Sequence, residues 1–581
     1  MPSGRQEDLM QGPDTKNLFL AIALSLIILL AFNYLTPTPK PVPRLAPAEI
    51  ASEQAAAPVS ALAPAVETKL SREEALQASP RVAIDTPSVK GSINLKGARF
   101  DDLTLERYHV TADPHSPAIT LLSPSGGPDA YFSQQGWRAA NAAVKLPDEQ
   151  TLWSTDGGTL TPTTPLTLTW DNGAGLVFTR IVAIDDKYML TLKESVTNGG
   201  TEPVSLAPYA LMSRASIPAT ASTSWWTYSF EGAIGSFDRV ERDVNYKNLA
   251  AGVRASVAGG WFGFSDKYWL TSIAPADQTL PINAGFAGAA AGAKPIYQAD
   301  FLGPEMIAAP GATIGTTMLI FAGPKEVRTL AAYRDKLGLP NFENAVDFGW
   351  FWFFTKPIFY LLDYLYGVIG NFGVAIMLMT VLMRGAFFPL QTRAVMNMNK
   401  MKALQPEIVK LREKFADDKM RLHQETMALQ KRAGANPIAG CLPIALQIPV
   451  FFSLYKVLYV SLEMRHAPFF GWIRDLSAPD PTTMFNLFGL IPFTPPHFLP
   501  MIGVWPVIYC ITMMLQQRMQ PMQVDPVQAR MFQFMPLLFT FMMANFPAGL
   551  VIYWSWSTTL TMAQQWLITR RSKSAVPAAA A

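Results

Sequence analysis

"VLMRGAFFPL", residues 381–390, sets one arginine inside an apolar run, with "NFGVAIMLMT" before it at 371–380. About 20 apolar residues are enough to cross a bilayer, because a helix rises roughly 1.5 Å per residue against roughly 30 Å of hydrocarbon. A charge near the middle of such a helix costs about 2.5–3.5 kcal/mol on insertion scales. The stretch therefore points to a polytopic membrane chain, and it makes Arg384 the residue whose presence needs a reason.

The composition agrees with a membrane chain. Charged residues are 16% of the 581, below the roughly 25% of soluble proteins, and 50% are hydrophobic. Lys+Arg 47 against Asp+Glu 44 leaves a net charge of +3, which argues against nucleic acid as the main partner and against recognition of a specific nucleic-acid sequence. The two cysteines, Cys441 and Cys510, both lie in apolar segments, so no disulfide framework is expected. A chain this long exceeds one compact core and divides into domains.

Outward from Arg384, the apolar runs give five spans at 371–390, 440–462, 499–517, 531–546 and 549–568. A sixth, at 18–35, reads as a retained anchor rather than a cleaved signal: it is longer than a signal core and no small-x-small site follows directly. It separates an N-terminal segment, 1–17, from an Ala/Pro-rich linker, 36–66, whose composition favours extended, semi-rigid chain. Between 67 and 336 no run could span a membrane. Short alternating segments such as "PLTLTW", "DNGAG" and "LVFTRIVAI" read as strand, turn and strand, and "DKYMLTLKESV" continues with period two. This predicts a large all-β sandwich domain. The connector 337–370 contains the aromatic "FGWFWFFTKPIFYLLDYLYGVIGN" (348–371), whose Lys356 and Asp363 favour a helix lying along the interface, with a full span as the competing reading.

Loop charges set an orientation. Ten Lys and Arg fall between Arg393 and Arg432, and Arg570, Arg571 and Lys573 lie in the tail 569–581, whereas the loop 463–498 offers only Arg465 and Arg474. The positive-inside rule then predicts both termini, the segment 391–434 and the loop 518–530 in the cytoplasm, with the β-domain and 463–498 on the opposite, periplasmic side of a bacterial inner membrane. Segment 391–434 reads as a hairpin of two amphipathic helices. One stripe is Met398, Met401, Leu404, Ile408, Leu411 and Phe415; the other is Met420, Met427 and Leu429. Pro406 suits an early helical position and Gly434 a C-terminal stop. The stripes either glue the hairpin together or form a Met-rich surface that fits varied partners.

Catalytic equipment is missing from the sequence. The five histidines are His109, His115, His423, His466 and His497; no HExxH, CxxC or G-x-S-x-G pattern occurs, and no Gly-Lys dipeptide exists to make a P-loop. A β-sandwich can bind or isomerise sugars, but its only histidines, His109 and His115, read as surface-turn residues. No enzyme activity, metal or cofactor is expected. Polar residues instead punctuate the spans: Thr380 one turn before Arg384, then Gln447, then Tyr553, Ser557, Thr561, Gln564 and Gln565 in the last span. Single Ser and Thr residues read first as helix–helix hydrogen bonding. Arg384 lacks a carboxylate in the five spans, so it reads as facing a hydrated cavity rather than snorkelling.

Four motifs, "RGAFFPLQTRAVMNMNKMKALQPEIVKLREKF", "NPIAGCLPIALQIPVFFSLYKVL", "APFFGWIRDLSAPDP" and "MPLLFTFMMANFPAGLVIYWSWSTTLTMAQQWLI", together resemble the YidC membrane-protein insertases. The resemblance is close over about 345–570 and looser over the β-domain, which resembles the mutarotase-related supersandwich of Gram-negative members. It implies a five-span core enclosing a hydrophilic groove, with no nucleotide consumed. Partners would be nascent membrane-protein clients, the lipid bilayer, the ribosome and the Sec translocon, beside which the protein inserts and helps fold inner-membrane proteins. Arg384 takes the place of the groove arginine, Thr380 of the threonine four residues before it, and Gln447 of the glutamine in the following span. Tyr553 and Trp554 stand where two adjacent client-touching tyrosines are common; here the second is tryptophan. Thr561 and Gln564 complete the polar face of the last span. The rival from another class is a transporter using Arg384 as a substrate site; it predicts inverted repeats, which the spans before and after the hairpin do not show. A second rival, a periplasmic carbohydrate-binding module on a passive anchor, leaves five further spans unexplained.

Overall fold

The structure, a computed structural model, describes residues 70–218, 229–291, 294–349, 351–416, 418–435, 442–491, 502–519 and 526–574. The expected anchor 18–35 and linker 36–66 lie outside the described residues.

After a short helix α1 (Arg72–Gln77), the chain forms two antiparallel sheets. The ten-stranded sheet runs from the edge hairpin Arg81–Asp85/Val89–Asn94 through Arg99–His109, Tyr131–Ala139, Val204–Arg214, Lys294–Leu302 and Pro281–Ala291 to Val253–Ala258. The nine-stranded sheet centres on Trp269–Pro275, Thr313–Pro324, Met189–Asn198 and Leu176–Ile184. Period-two alternation appears directly in Leu176–Ile184: Phe178, Val182 and Ile184 are buried, while Val177 and Ile181 are exposed. The preceding loop follows from its sequence. Asn172 Oδ1 accepts from the amides of Ala174 and Leu176 at 2.7 and 2.9 Å, and Gly173 and Gly175 take φ +70° and +91°, which glycine adopts without a Cβ clash.

Below the sandwich, α2 (Val327–Leu337) ends at Gly338 with φ +71° and leads to the helical region. One continuous core joins the two parts: Leu330, Phe342 and Phe348 connect the sheets to Ile358 and Leu362 of α3 (Trp352–Ile369). Polar links reinforce it. Lys456 Nζ meets Asp347 Oδ2 at 2.8 Å, and Arg465 donates to the carbonyl of His109 at 2.6 Å. The amide of Val327 donates to Glu463 at 3.2 Å, and burial pushes that carboxyl up to about 7. On α3, Ile358, Phe359 and Leu362 face inward and Trp352, Tyr360, Tyr364 and Val368 are exposed, so aromatic and apolar side chains occupy both faces.

The remaining helices are α4 (Phe372–Ala386), α5 (Phe388–Lys414), α6 (Lys419–Arg432), α7 (Leu442–Val460), α8 (Val504–Met519), α9 (Pro526–Met543) and α10 (Ala548–Ser574). Three expectations are corrected. The run 371–390 is not one straight helix: α4 and α5 meet at a 69° bend. Pro389, at the start of α5, has no N–H to return to the carbonyl four residues back, so the first helix ends there. Pro406 is not near a helix start but inside α5, at an exposed position. In the second hairpin helix Met420 and Met427 point outward, at 55% and 56% exposure, while Leu422 and Leu429 are half-buried. Gly434 does stop α6. With φ +60° it lets the Ala435 amide reach the Gln430 carbonyl at 2.9 Å, a Schellman closure. No single helix among the described residues is long and apolar enough to cross a membrane by itself; the bent α4–α5 pair passes that test together, and Gln447–Val460 and Phe532–Met543 are shorter apolar helices. The count of six spans thus rests on the apolar runs of the sequence.

Candidate functional site

The site is built where α10 packs across α4. Asn371 caps α4 by accepting from the Val374 amide at 3.1 Å, which sets the register of Thr380 and Arg384 on one face. Thr380 is 2% exposed and donates to the Ile376 carbonyl at 2.7 Å. The indole of Trp556 on α10 donates to the Met377 carbonyl at 3.1 Å, tying the two helices together about two turns before the arginine.

Arg384 Nη2 donates to both the carbonyl and the hydroxyl of Ser557, at 3.2 and 2.5 Å. The same Ser557 carbonyl also accepts from the Thr561 hydroxyl at 2.8 Å. Tyr553, Ser557 and Thr561 are spaced by four and occupy one face of α10. Across from them Gln447 on α7 donates its amide to the Tyr553 hydroxyl.

These groups line a cavity of about 20 Å³ with Met383, Phe387, Gln391 and Val450. A water needs about 10–15 Å³ by that measure, so one fits. The lining residues include no carboxylate, and the guanidinium charge meets only dipoles there. In a low-dielectric setting dipoles compensate a cation less than an anion does, which leaves the site attractive to a carboxylate or carbonyl brought from outside.

Of the residues expected at the site, Arg384, Thr380, Gln447 and Tyr553 meet at this cavity. Thr561 touches it only through Ser557. Gln564 lies further along α10, off the lining, with a buried side-chain nitrogen that finds no hydrogen-bond partner among the described residues. Tyr553 and Trp554 occupy different surroundings: Tyr553 is 2% exposed, and half-buried Trp554 stacks on Phe451 (centroids 4.5 Å, 14°) and Tyr509 (5.6 Å, 15°). Five lining residues lie outside the expected set, the apolar Met383, Phe387 and Val450 and the polar Ser557 and Gln391. Ser557 stood in the polar row of the last span, and its spacing of four from Tyr553 was the available signal; a lone serine reads as helix–helix glue. Gln391 falls just past the expected span 371–390 and after the bend; its spacing of seven from Arg384 was the only signal, and a straight helix was needed to read it.

Comparison with known proteins gives a consistent result. The family described as YidC periplasmic domain matches residues 81–361, and the 60Kd inner membrane protein family matches 364–575. The membrane protein insertase YidC of Beijerinckia indica is 48% identical, covering 96% of this chain and 96% of its own. That of Granulibacter bethesdensis is 47% identical, over 96% of this chain and 98% of its own. Among solved structures, an active YidC insertase with its first transmembrane domain resolved covers 84% of this chain and 92% of its own, at 17% identity and a TM-score of 0.35. A galactose mutarotase related enzyme from Lactobacillus acidophilus covers 42% of this chain and 97% of its own, at 9% identity and a TM-score of 0.30.

Proposed function

Since the chain belongs to the YidC family of membrane protein insertases, we propose that it inserts its clients by way of the polar cavity at Arg384. Family membership makes it an inner-membrane insertase with a periplasmic β-domain, acting on membrane-protein clients in the bilayer, and not an enzyme. The observation that carries the finer reading is a guanidinium held between α4 and α10 by Ser557 alone among the described residues, with no carboxylate in its lining. A polar tail of the client is drawn toward this charge, which lowers the barrier to its crossing. The client's apolar segment then partitions into lipid beside α7 and α9, at about 0.8 kcal/mol per buried CH₂, with no nucleotide required.

Tyr553 and Gln447 are bonded to each other at the cavity wall, so a client tail that reaches Arg384 passes beside this pair. Photocrosslinkers placed at 447 and 553 should therefore react with a nascent membrane protein on stalled ribosomes only when its hydrophobic segment has emerged. Equal crosslinking to a soluble nascent chain, or none to the membrane protein, would remove the cavity from the path. The ribosome and the Sec translocon belong to this proposal as partners: the first is attracted by the basic hairpin, and the second is a neighbour that shares clients.

The orientation is part of the proposal as well and is supported by the loop charges. A cysteine in the β-domain should react with an impermeant reagent added to spheroplasts, and one near Lys419 should react only after the membrane is opened. Labelling at Lys419 from outside would reverse the assignment and return both termini to the periplasm.

A further inference from the structure

The loop between α7 and α8 carries a feature that insertion through the Arg384 cavity does not use. Its base is tightly bonded. Asp480, 3% exposed, accepts from the Trp472 indole at 3.1 Å and from the Thr482 amide and hydroxyl at 3.0 and 2.7 Å, and its other oxygen accepts from the Trp505 amide at 2.9 Å. Thr482 accepts in turn from the Val504 amide at 3.0 Å. The loop is thus fastened to the first turn of α8.

Its tip is the opposite. Within Met484–Ile491, Leu487 is 53% exposed, Leu490 84% and Ile491 45%, and Met484, Phe485 and Phe488 are also exposed. Leu487 and Phe488 take φ +50° and +58°, a region that bulky side chains rarely adopt. Bonds from the Phe488 amide to the Thr483 carbonyl (2.8 Å) and from the Ile491 amide to the Asn486 carbonyl (3.1 Å) hold this turn. The strained turn keeps the apolar side chains pointing out instead of folding back on the protein. From Pro481 to Gln517 the sequence contains no Asp, Glu, Lys or Arg. A protein-binding patch is normally rimmed by polar and charged groups, and this segment supplies no charged rim.

We infer that the tip Met484–Ile491 is a wedge that sinks into the acyl region of the periplasmic leaflet beside α8. The occupant of this surface is lipid. The segment runs without a charge into a helix of the membrane region, so the bilayer is the apolar phase continuous with it. Amphipathic elements of this kind settle about 5–10 Å below the headgroup boundary. The wedge's placement in the periplasmic leaflet rests on the orientation proposed above, and there it would crowd lipids beside the bundle.

The test uses the full chain with Cys441 and Cys510 replaced by Ser and Ala, and a single cysteine at Leu490 or at Leu487 carrying an environment-sensitive fluorophore. The protein is reconstituted into phosphatidylethanolamine–phosphatidylglycerol vesicles containing nitroxide lipids. Labels at both positions should emit as in an apolar medium and be quenched more by acyl-chain nitroxide than by headgroup nitroxide. A label at His115, exposed in the β-domain, should be quenched by neither. Depth is read in whichever direction the protein faces, so a wrong orientation would not imitate failure of the wedge. Water-like emission at both 490 and 487 overturns the inference. So does apolar emission that arises only when a second membrane protein is co-reconstituted, because the occupant would then be protein.

Discussion

Replacing Arg384 with alanine is expected to reduce insertion of a client with an acidic translocated tail by about tenfold or more, since a hydrogen bond to a charged group contributes roughly 1.5–3 kcal/mol. The same client with a neutral tail should lose much less. Arg384→Lys should retain most activity, because an ammonium keeps the point charge while giving up the planar fork. Ser557→Ala supplies the internal control. It removes the hydroxyl bonded at 2.5 Å but leaves the backbone carbonyl and the charge, so insertion should stay near normal. The contrary account is that the arginine braces the bundle by tying α4 to α10. That account is a real competitor, because both of its bonds in this structure run to Ser557. Bracing predicts that Arg384→Ala lowers the melting temperature in detergent substantially and harms acidic and neutral tails alike. Insertion of the two tails by each variant, measured beside thermal unfolding, separates the accounts; equal loss for both tails together with a large fall in Tm ends the role of the charge as a lure.

The second large effect is expected at the hairpin. Deleting 395–432 should abolish insertion while the protein remains folded in the membrane. Part of that segment is also structural: Val395 and Ile408 are buried, and Asn399 donates to Thr569 of α10 at 3.3 Å. A gentler change isolates the surface. Lys402, Lys410, Lys414 and Arg421 are all exposed, so replacing them with glutamine leaves the buried side intact. If the hairpin captures ribosomes through phosphate contacts, this should weaken ribosome binding about tenfold or more and flatten its dependence on salt. If it captures clients through methionine, Met420→Ser and Met427→Ser should reduce client crosslinking with ribosome binding unchanged. Full insertion of every client by the deletion variant would show the hairpin to be a connector.

The hairpin also shows how far local pattern reaches. Its first stripe is legible because Met398 to Phe415 repeat at helical spacing and all six are half-buried or buried. The second stripe held only at Leu429, because a short charged helix satisfies more than one apolar register: Leu422 and Leu429 are half-buried while Met420 and Met427 are exposed.

What the sequence by itself determined about this protein is whatever depends on period and composition. A buried strand face writes itself as alternation, as in Leu176–Ile184; a glycine-dependent turn is written in "DNGAG"; and a charge without a counter-charge in an apolar run singles out Arg384 as a residue whose presence needs a reason. Tertiary structure alone decided the partners. Ser557 lies 173 positions from Arg384, and no local rule pairs them. The α4–α5 bend carries Gln391 back to the cavity, and packing of α7 on α10 turns Tyr553 inward, where the sequence left it free to face a client. The physical reason is one of range: hydrophobic periodicity is set by neighbours three to four residues away, whereas the surroundings of a buried charge are set by whichever distant helices close around it.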